Sequence, residues 1–266
     1  MGSAHRIRGK IVVITGASSG IGTDVAFEIA RLGGIPILLA RRIDKLRQHL
    51  LAIEEMHHIK AHAFELDVSN PKEVIRIFVT IYEQIGNIDV LINNAGFALF
   101  KNADEATYEE VKAMFDVNVL GLISCTNAVL PVMKNINEGQ IINIASIIGK
   151  IPTPKASAYA ATKHAVLGFT NALRMEVSHT HVQITAVNPG PVKTEFFDLA
   201  DESGTYTQKM GRMMLDSKKV ARKIVSVIGT KRRELNLPGW MGVGGKCYAL
   251  VPVLMEKTLG EKLFQK

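Results

Sequence analysis

Cysteine is scarce in this chain, two in 266 residues. Cys125 and Cys247 are too few for a disulfide framework and are read as free thiols in a reducing, cytoplasmic setting. Tryptophan occurs once and aromatic residues make up 6%. Basic residues are not interleaved with aromatics as on a nucleic-acid surface, so no nucleic acid partner is expected and Lys231-Arg232-Arg233 reads as a solvated loop. No uninterrupted apolar run approaches the ~18 residues that a membrane-crossing helix needs. No apolar stretch precedes Lys10 either, so the N-terminus does not read as a secretory signal. Acids are in deficit, 25 against 32 Lys and Arg, for a net charge of +7. That balance suits anionic partners, a phosphorylated cofactor among them. His57, His58 and His62, like His179 and His181, lack a Cys or acid to complete a tetrahedral set, so no metal is expected.

What the chain does have is a regular alternation of short apolar runs and amphipathic stretches. Residues 10–15, 35–40, 61–66, 88–93, 140–145 and 183–188 read as buried strands. Residues 21–32, 44–56, 71–85, 108–133 and 156–177 have helical spacing. Pro71 at a helix start and Gly86 past its end fit the usual asymmetry of helix termini. Strand–helix alternation of this kind implies right-handed crossovers and an α/β fold, a doubly wound parallel sheet covered on both faces. No repeat or linker divides the chain, so one domain is expected.

Between the first strand and the first helix stands Thr15-Gly16-Ala17-Ser18-Ser19-Gly20-Ile21-Gly22. Glycines at these positions allow a tight turn and close approach of backbone to a ligand. The helix start offers free N–H groups to a pyrophosphate. The spacing Gly-x-x-x-Gly-x-Gly after Thr resembles the classical short-chain dehydrogenase/reductase family. The resemblance continues in order from about residue 10 to residue 195. Asp67-Val68 follows the third strand and Asn93-Asn94-Ala95-Gly96 the fourth. Asn118 lies in the next helix, Ser146 ends the fifth strand, and Tyr159 and Lys163 form Tyr-x-x-x-Lys. Pro189-Gly190, Val192 and Thr194 complete a Pro-Gly-x-Val-x-Thr segment.

The resemblance implies the sheet of a Rossmann fold in one domain, residues 1–266. Its cofactor and catalytic core would span about 10–195, a substrate-binding segment about 195–216, and a C-terminal tail about 239–266. Cofactor contacts are implied for Gly16, Ser18, Ser19, Gly20, Ile21 and Gly22 in the loop. Asp67 and Val68 would meet the adenine, and Asn94, Ala95 and Gly96 the ribose. Pro189, Gly190, Val192 and Thr194 are implied as further cofactor contacts. Catalysis would rest on Asn118, Ser146, Tyr159 and Lys163. A homo-oligomer, dimer or tetramer, is also implied.

Tyr159 and Lys163 stand four apart and so share a helix face. A phenol ordinarily titrates near 10 and must release its proton about a thousandfold more readily to work near neutrality, a matter of about 4 kcal/mol. An ammonium one turn away supplies much of the required field. Ser146 can orient a substrate oxygen beside the phenol. The resemblance adds a proton path past a water held by Asn118, and makes Lys163 a binder of the nicotinamide ribose.

The second strand ends in Arg41-Arg42 with no acid before Asp44. An acid there would favour an unphosphorylated ribose, whereas a guanidinium suits a phosphate, so the expected cofactor is NADP. Arg41 comes first after the strand and is the expected phosphate partner, Arg42 being the more solvent-directed, with Ser18 as a second donor. Phe97, Leu99, Phe100, Ile147 and Ile148 would form an apolar wall, and the Phe and Met residues of 195–216 fit either an apolar lid or simple packing. A lipophilic substrate is thereby weakly favoured. The expected reaction is NADP-dependent interconversion of a carbonyl and a secondary alcohol. The rival is an NADPH-sensing regulator or scaffold of the same fold, against which the presence of both Tyr159 and Lys163 speaks. The tail departs from the usual family ending, with Trp240 and an apolar stretch 248–255 broken by Pro252. It is expected to cover the pocket or join subunits; contact with a membrane surface is the less favoured role.

Overall fold

The computed structural model describes residues 3–201, 204, 208 and 211–257. Seven parallel strands form one sheet. They are β1 Ile11–Thr15, β2 Ile35–Ala40, β3 His62–Glu65, β4 Val90–Asn93, β5 Gln140–Ile144, β6 Gln183–Pro189 and, separated by the short β7 and β8 named below, β9 Glu234–Leu237. Their order is β3-β2-β1-β4-β5-β6-β9. The chain runs outward from β1 in one direction and then resumes from β4 in the other, which opens a crevice at the carboxyl ends of β1 and β4.

Apolar residues alternate between the two sheet faces because successive strand side chains point opposite ways. Val12, Ile14 and Leu38 bury on one face, Val13, Ile37 and Leu39 on the other. Helices α2 Gly20–Arg31 and α3 Ile43–His57 cover the first face, and α4 Pro71–Gln84 the second. Asn70 caps α4 by accepting from the Glu73 N–H at 3.3 Å, with Pro71 following at the first helical position.

The expected helix 108–133 is interrupted. It runs as α5 Tyr108–Phe115, a π-turn Asp116–Gly121, and α6 Leu122–Ile136. A capping box between Thr107 and Glu110 starts it. The stretch Tyr108–Ile136 is 29 residues long and contains an 18-residue window apolar enough, by length and composition, to cross a membrane, which the absence of an uninterrupted apolar run does not disclose. Here its buried side chains, among them Cys125, Val129 and Met133, cover the second face of the sheet. Helix α7 Ser157–Glu176 packs beside it.

Among the described residues, seven further strands and α-helices, at the N-terminus and after β6, lie outside the strands and helices expected from periodicity. Helix α1 Ser3–Ile7 buries Ile7, and Arg6 donates to the carbonyls of Ile228 and Ser226. After β6 come β7 Val192–Lys193, α8 Phe196–Ala200 and β8 Leu215–Asp216. Helix α9 Ser217–Ser226 then buries Val220, Ala221, Ile224 and Val225 on the first face while its Lys and Arg face outward. Strand β9 extends the sheet beside β6 and is followed by α10 Gly239–Leu250. Glycines seat α10 closely: a Cβ on Gly242 would lie 2.4 Å from Asn236 Nδ2, and one on Gly245 3.0 Å from Lys150 Cβ. Trp240, Val243 and Leu250 face outward from it. Residues 202, 203, 205–207, 209 and 210 of the expected substrate segment, and 258–266 of the tail, lie outside the described residues.

Candidate active site

A cleft of about 450 Å³ opens at the switch between β1 and β4. The glycine loop forms one wall. Gly16 and Gly20 have φ of 66° and 57°, the left-handed region that glycine tolerates without strain. Gly22 is not on the wall but behind it: a Cβ there would meet Gly16 O at 2.4 Å and Asn94 Nδ2 at 2.6 Å. Asn94 clamps the loop, its Nδ2 donating to Thr15 O at 3.0 Å and Gly16 O at 3.1 Å. Thr15 Oγ1 returns the link by accepting from the N–H groups of Asn94 and Ala95. Thr15 was not among the expected site residues; its place directly before Gly16 was the available signal. Ser19 stands before α2 without a side-chain cap. The first N–H groups of α2 and the positive end of its dipole therefore suit an anionic group, which is what the pyrophosphate of a dinucleotide supplies.

The opposite wall carries Ser146, Tyr159 and Lys163. Ser146 follows β5, accepts from the Ile148 N–H at 3.2 Å and lies 3.4 Å from Pro189 O. Tyr159 and Lys163 project from the first half of α7, with the Lys163 ammonium 5.7 Å from the phenol ring centre. Lys163 Nζ donates to Ile144 O at 3.0 Å. Burial pulls the Lys163 ammonium down to about 8, because desolvation penalises the charged form. Asn118 sits one layer behind, within the π-turn, a feature frequent at functional sites. Its Oδ1 accepts from the Phe97 N–H at 2.9 Å, and its Nδ2 donates to Phe97 O at 2.8 Å and Thr162 Oγ1 at 3.2 Å. The Asn118 side chain thus fixes the backbone after Gly96. Asn93 faces away from the cleft, donating to Thr126 and Asn143 in the buried strands.

The far end of the cleft is basic. Both Arg41 and Arg42 line it and both are exposed, and it is the Arg42 side chain, expected to be the more solvent-directed, that lies on the glycine loop. Arg42 donates to Ser18 Oγ at 3.0 and 3.1 Å and to Ser19 Oγ at 2.8 Å. The reason is local: Arg42 is the residue at which the chain turns into α3, and its side chain folds back across the glycine loop. Asp67 and Val68 line this end too, with Asp67 Oδ1 accepting from Ser69. Pro189, Gly190, Val192 and Thr194 edge the cleft where β6 ends. Glu195, which no sequence argument marked as a partner of this basic pair, accepts from Lys45 and Arg42. Hydrogen bonding to Lys45 holds its carboxyl below the usual carboxylate range.

Around the Tyr159 ring the cleft is apolar. Phe97, Phe100, Ile147, Ile148, Phe196, Phe197 and Leu199 line it. Phe100 and Phe196 stand with ring centres 6.1 and 5.9 Å from that of Tyr159. Leu99 packs with this cluster without lining the cleft.

Sheets of this order bind dinucleotides at the switch point, and the comparisons agree. The family model for short chain dehydrogenase matches residues 10–203. The chain belongs to the short-chain dehydrogenase/reductase family. Over 193 residues, 72% of this chain and 74% of the relative, it is 39% identical to an NADP-dependent 3-hydroxy acid dehydrogenase of Schizosaccharomyces pombe. Over 236 residues, 86% and 93% of the two chains, it is 30% identical to a farnesol dehydrogenase of Aedes aegypti. Its fold is similar to that of a short-chain dehydrogenase from Sphingobium yanoikuyae in complex with NADPH. The TM-score is 0.80 at 26% identity, covering 91% of this chain and 95% of the other.

Proposed function

We propose that the protein is an NADP-dependent oxidoreductase that interconverts a carbonyl and a secondary alcohol, with Tyr159 as the acid/base. The convergence of Ser146, Tyr159 and Lys163 on one wall of the cleft carries this reading. The cofactor supplies or accepts the hydride. In the reducing direction the Tyr159 hydroxyl gives its proton to the carbonyl oxygen, which Ser146 holds by a hydrogen bond. The Lys163 ammonium stabilises the phenolate left behind, an interaction strengthened by the low dielectric of its buried position. Asn118 keeps the Gly96–Phe97 backbone and Thr162 in register with α7, and a water held there would extend the proton path to Lys163.

Gly16, Ser18, Ser19, Gly20 and Ile21 would hold the pyrophosphate, with Gly22 and Asn94 shaping the loop from behind. Arg42, Ser18 and Arg41 would take the 2′-phosphate, Asp67 and Val68 the adenine, and Lys163 the nicotinamide ribose. The remaining cofactor contacts fall to Ala95, Gly96, Pro189, Gly190, Val192 and Thr194. NADP is supported by the basic end of the cleft and by the NADP-dependent relative and the NADPH-bound structure. The aromatic wall favours a lipophilic substrate, and a relative named for farnesol is in keeping with it. A homo-oligomer is part of the proposal on the family resemblance.

The test is a panel of lipophilic ketones and aldehydes with NADPH, followed by absorbance of the reduced nicotinamide. Turnover that disappears in Tyr159→Phe is the expected result. Tight NADPH binding with no turnover across the panel would favour the sensing role instead.

A further inference from the structure

Glu195 joins the two ends of the cleft. Its carboxylate accepts from Lys45 Nζ at 3.2 and 3.4 Å and from Arg42 Nη1 at 3.4 Å. Arg42 is the same side chain that reaches Ser18 and Ser19 in the glycine loop. Just before Glu195, Thr194 packs on Gly20, close enough that a Cβ there would lie 3.0 Å from its methyl. Just after it, Phe196 packs on Tyr159 and Phe197 on Phe100. The Phe100 N–H donates to Ala200 O at 3.0 Å, which ties the end of α8 to the aromatic wall.

We propose that Glu195 is an internal counter-ion of the adenosine-phosphate site, competing with the 2′-phosphate for Arg42 and Lys45, and that its displacement couples recognition of that phosphate to the aromatic segment over Tyr159. The proposal rests on the NADP reading above. Arg42, Lys45 and Glu195 are each 42–53% exposed at the side chain. Ion pairs this open to solvent are weak, and a dianionic phosphate making charge-assisted hydrogen bonds outcompetes them. A carboxylate left beside that phosphate is repelled and turns away. NADH has no phosphate on the adenosine ribose and leaves the bridge closed. Glu195 thus lowers affinity for NADPH alone, and NADPH alone loosens the start of α8. Because the groups are exposed, the competition is screened as salt rises.

The test uses the full chain with Glu195→Gln, an isosteric change at an exposed position. Kd for NADPH and for NADH is read from nicotinamide fluorescence, and hydrogen exchange across 195–200 is followed with each dinucleotide. In the variant, NADPH binding is expected to tighten about threefold at low salt, the scale of an exposed ion pair, with NADH unchanged. In the parent chain, exchange at 195–200 should rise with NADPH and not with NADH. Placed in an Arg42→Gln, Lys45→Gln background, Glu195→Gln should change neither Kd. Unchanged or weaker NADPH binding in Glu195→Gln, or equal gains for both dinucleotides, would overturn the counter-ion role while leaving the parent chain's NADPH preference standing. Equal affinity of the parent chain for the two dinucleotides would remove the NADP reading itself.

Discussion

Lys163 holds its ammonium 5.7 Å from the centre of the Tyr159 ring and donates to Ile144 O at 3.0 Å, within the folded interior. The position beside the phenol comes at a cost to the fold. In an unfolded chain this lysine titrates near 10.5, and burial brings it down to about 8. Below pH 8 the full penalty applies, and it is relieved as pH rises from 8 to 10.5, where the unfolded state binds the extra proton. The gap corresponds to about 3 kcal/mol. Lys163→Met is therefore expected to abolish turnover and weaken NADPH binding, yet to raise Tm at pH 7. After allowing about 1 kcal/mol for the carbonyl left unpaired, the rise is about 5 °C. The advantage should shrink between pH 8 and 10.5, which thermal melts of both proteins across that range would reveal.

Tyr159→Phe keeps the ring that packs between Phe100 and Phe196 and removes only the hydroxyl. NADPH affinity should persist while turnover falls by at least about a hundredfold, the usual scale of an acid/base contribution. A variant retaining a tenth of the activity would argue that another group moves the proton.

Arg42 rather than Arg41 reaches the glycine loop. Arg42→Gln should weaken NADPH binding about ten- to a hundredfold, the worth of a charge-assisted hydrogen bond, and leave NADH little altered. Arg41→Gln should have the smaller effect. Titrations of both variants at low and high salt decide the ranking.

Gly22→Ala would drive a methyl against Gly16 O and Asn94 Nδ2. The clamp must shift, so dinucleotide affinity should fall more than tenfold while Tm drops by only a few degrees. Retained affinity would mean that the loop relaxes without Asn94.

Removing residues from Trp240 onward takes away α10, whose glycines seat it on Asn236 and Lys150. The seven-stranded sheet ends at Leu237 and should remain folded. Lys150 follows the turn begun by Ser146 and pairs with Glu234, so KM for substrate should change more than Kd for NADPH. Unchanged KM and mass in solution would make the tail a passive extension.

The two-sided sheet and most of its helices could be read from apolar periodicity, the glycine loop from its spacing between strand and helix, and Ser146 and the Tyr159–Lys163 pair from the family resemblance. Other features depend on approaches between distant parts of the chain. Glu195 meets Arg42 across 153 residues, a contact that no local pattern announces. Arg41 and Arg42 are indistinguishable as letters, and the turn into α3 alone decides which one folds back. Strand β9 is short and half polar, Glu234-Leu235-Asn236-Leu237, and gains its identity only by pairing with β6. The π-turn at Asn118 lies inside an unbroken helical pattern, and helical periodicity does not mark the extra residue.

The Asn94 clamp also sets when the molecule becomes competent. Its hydrogen bonds to Thr15 and Gly16 close chain loops of 78 and 79 residues, and the parallel pairing of β1 with β4 spans three complete crossovers. Contacts this distant in sequence form slowly, after nearer ones have reduced the entropy of closure. A newly made chain with β1 to β3 in place would have its glycine-rich segment but no clamp to give it shape. Dinucleotide binding is thus a late event in folding, and a ligand that recognises only the finished loop pulls the last steps toward the native state.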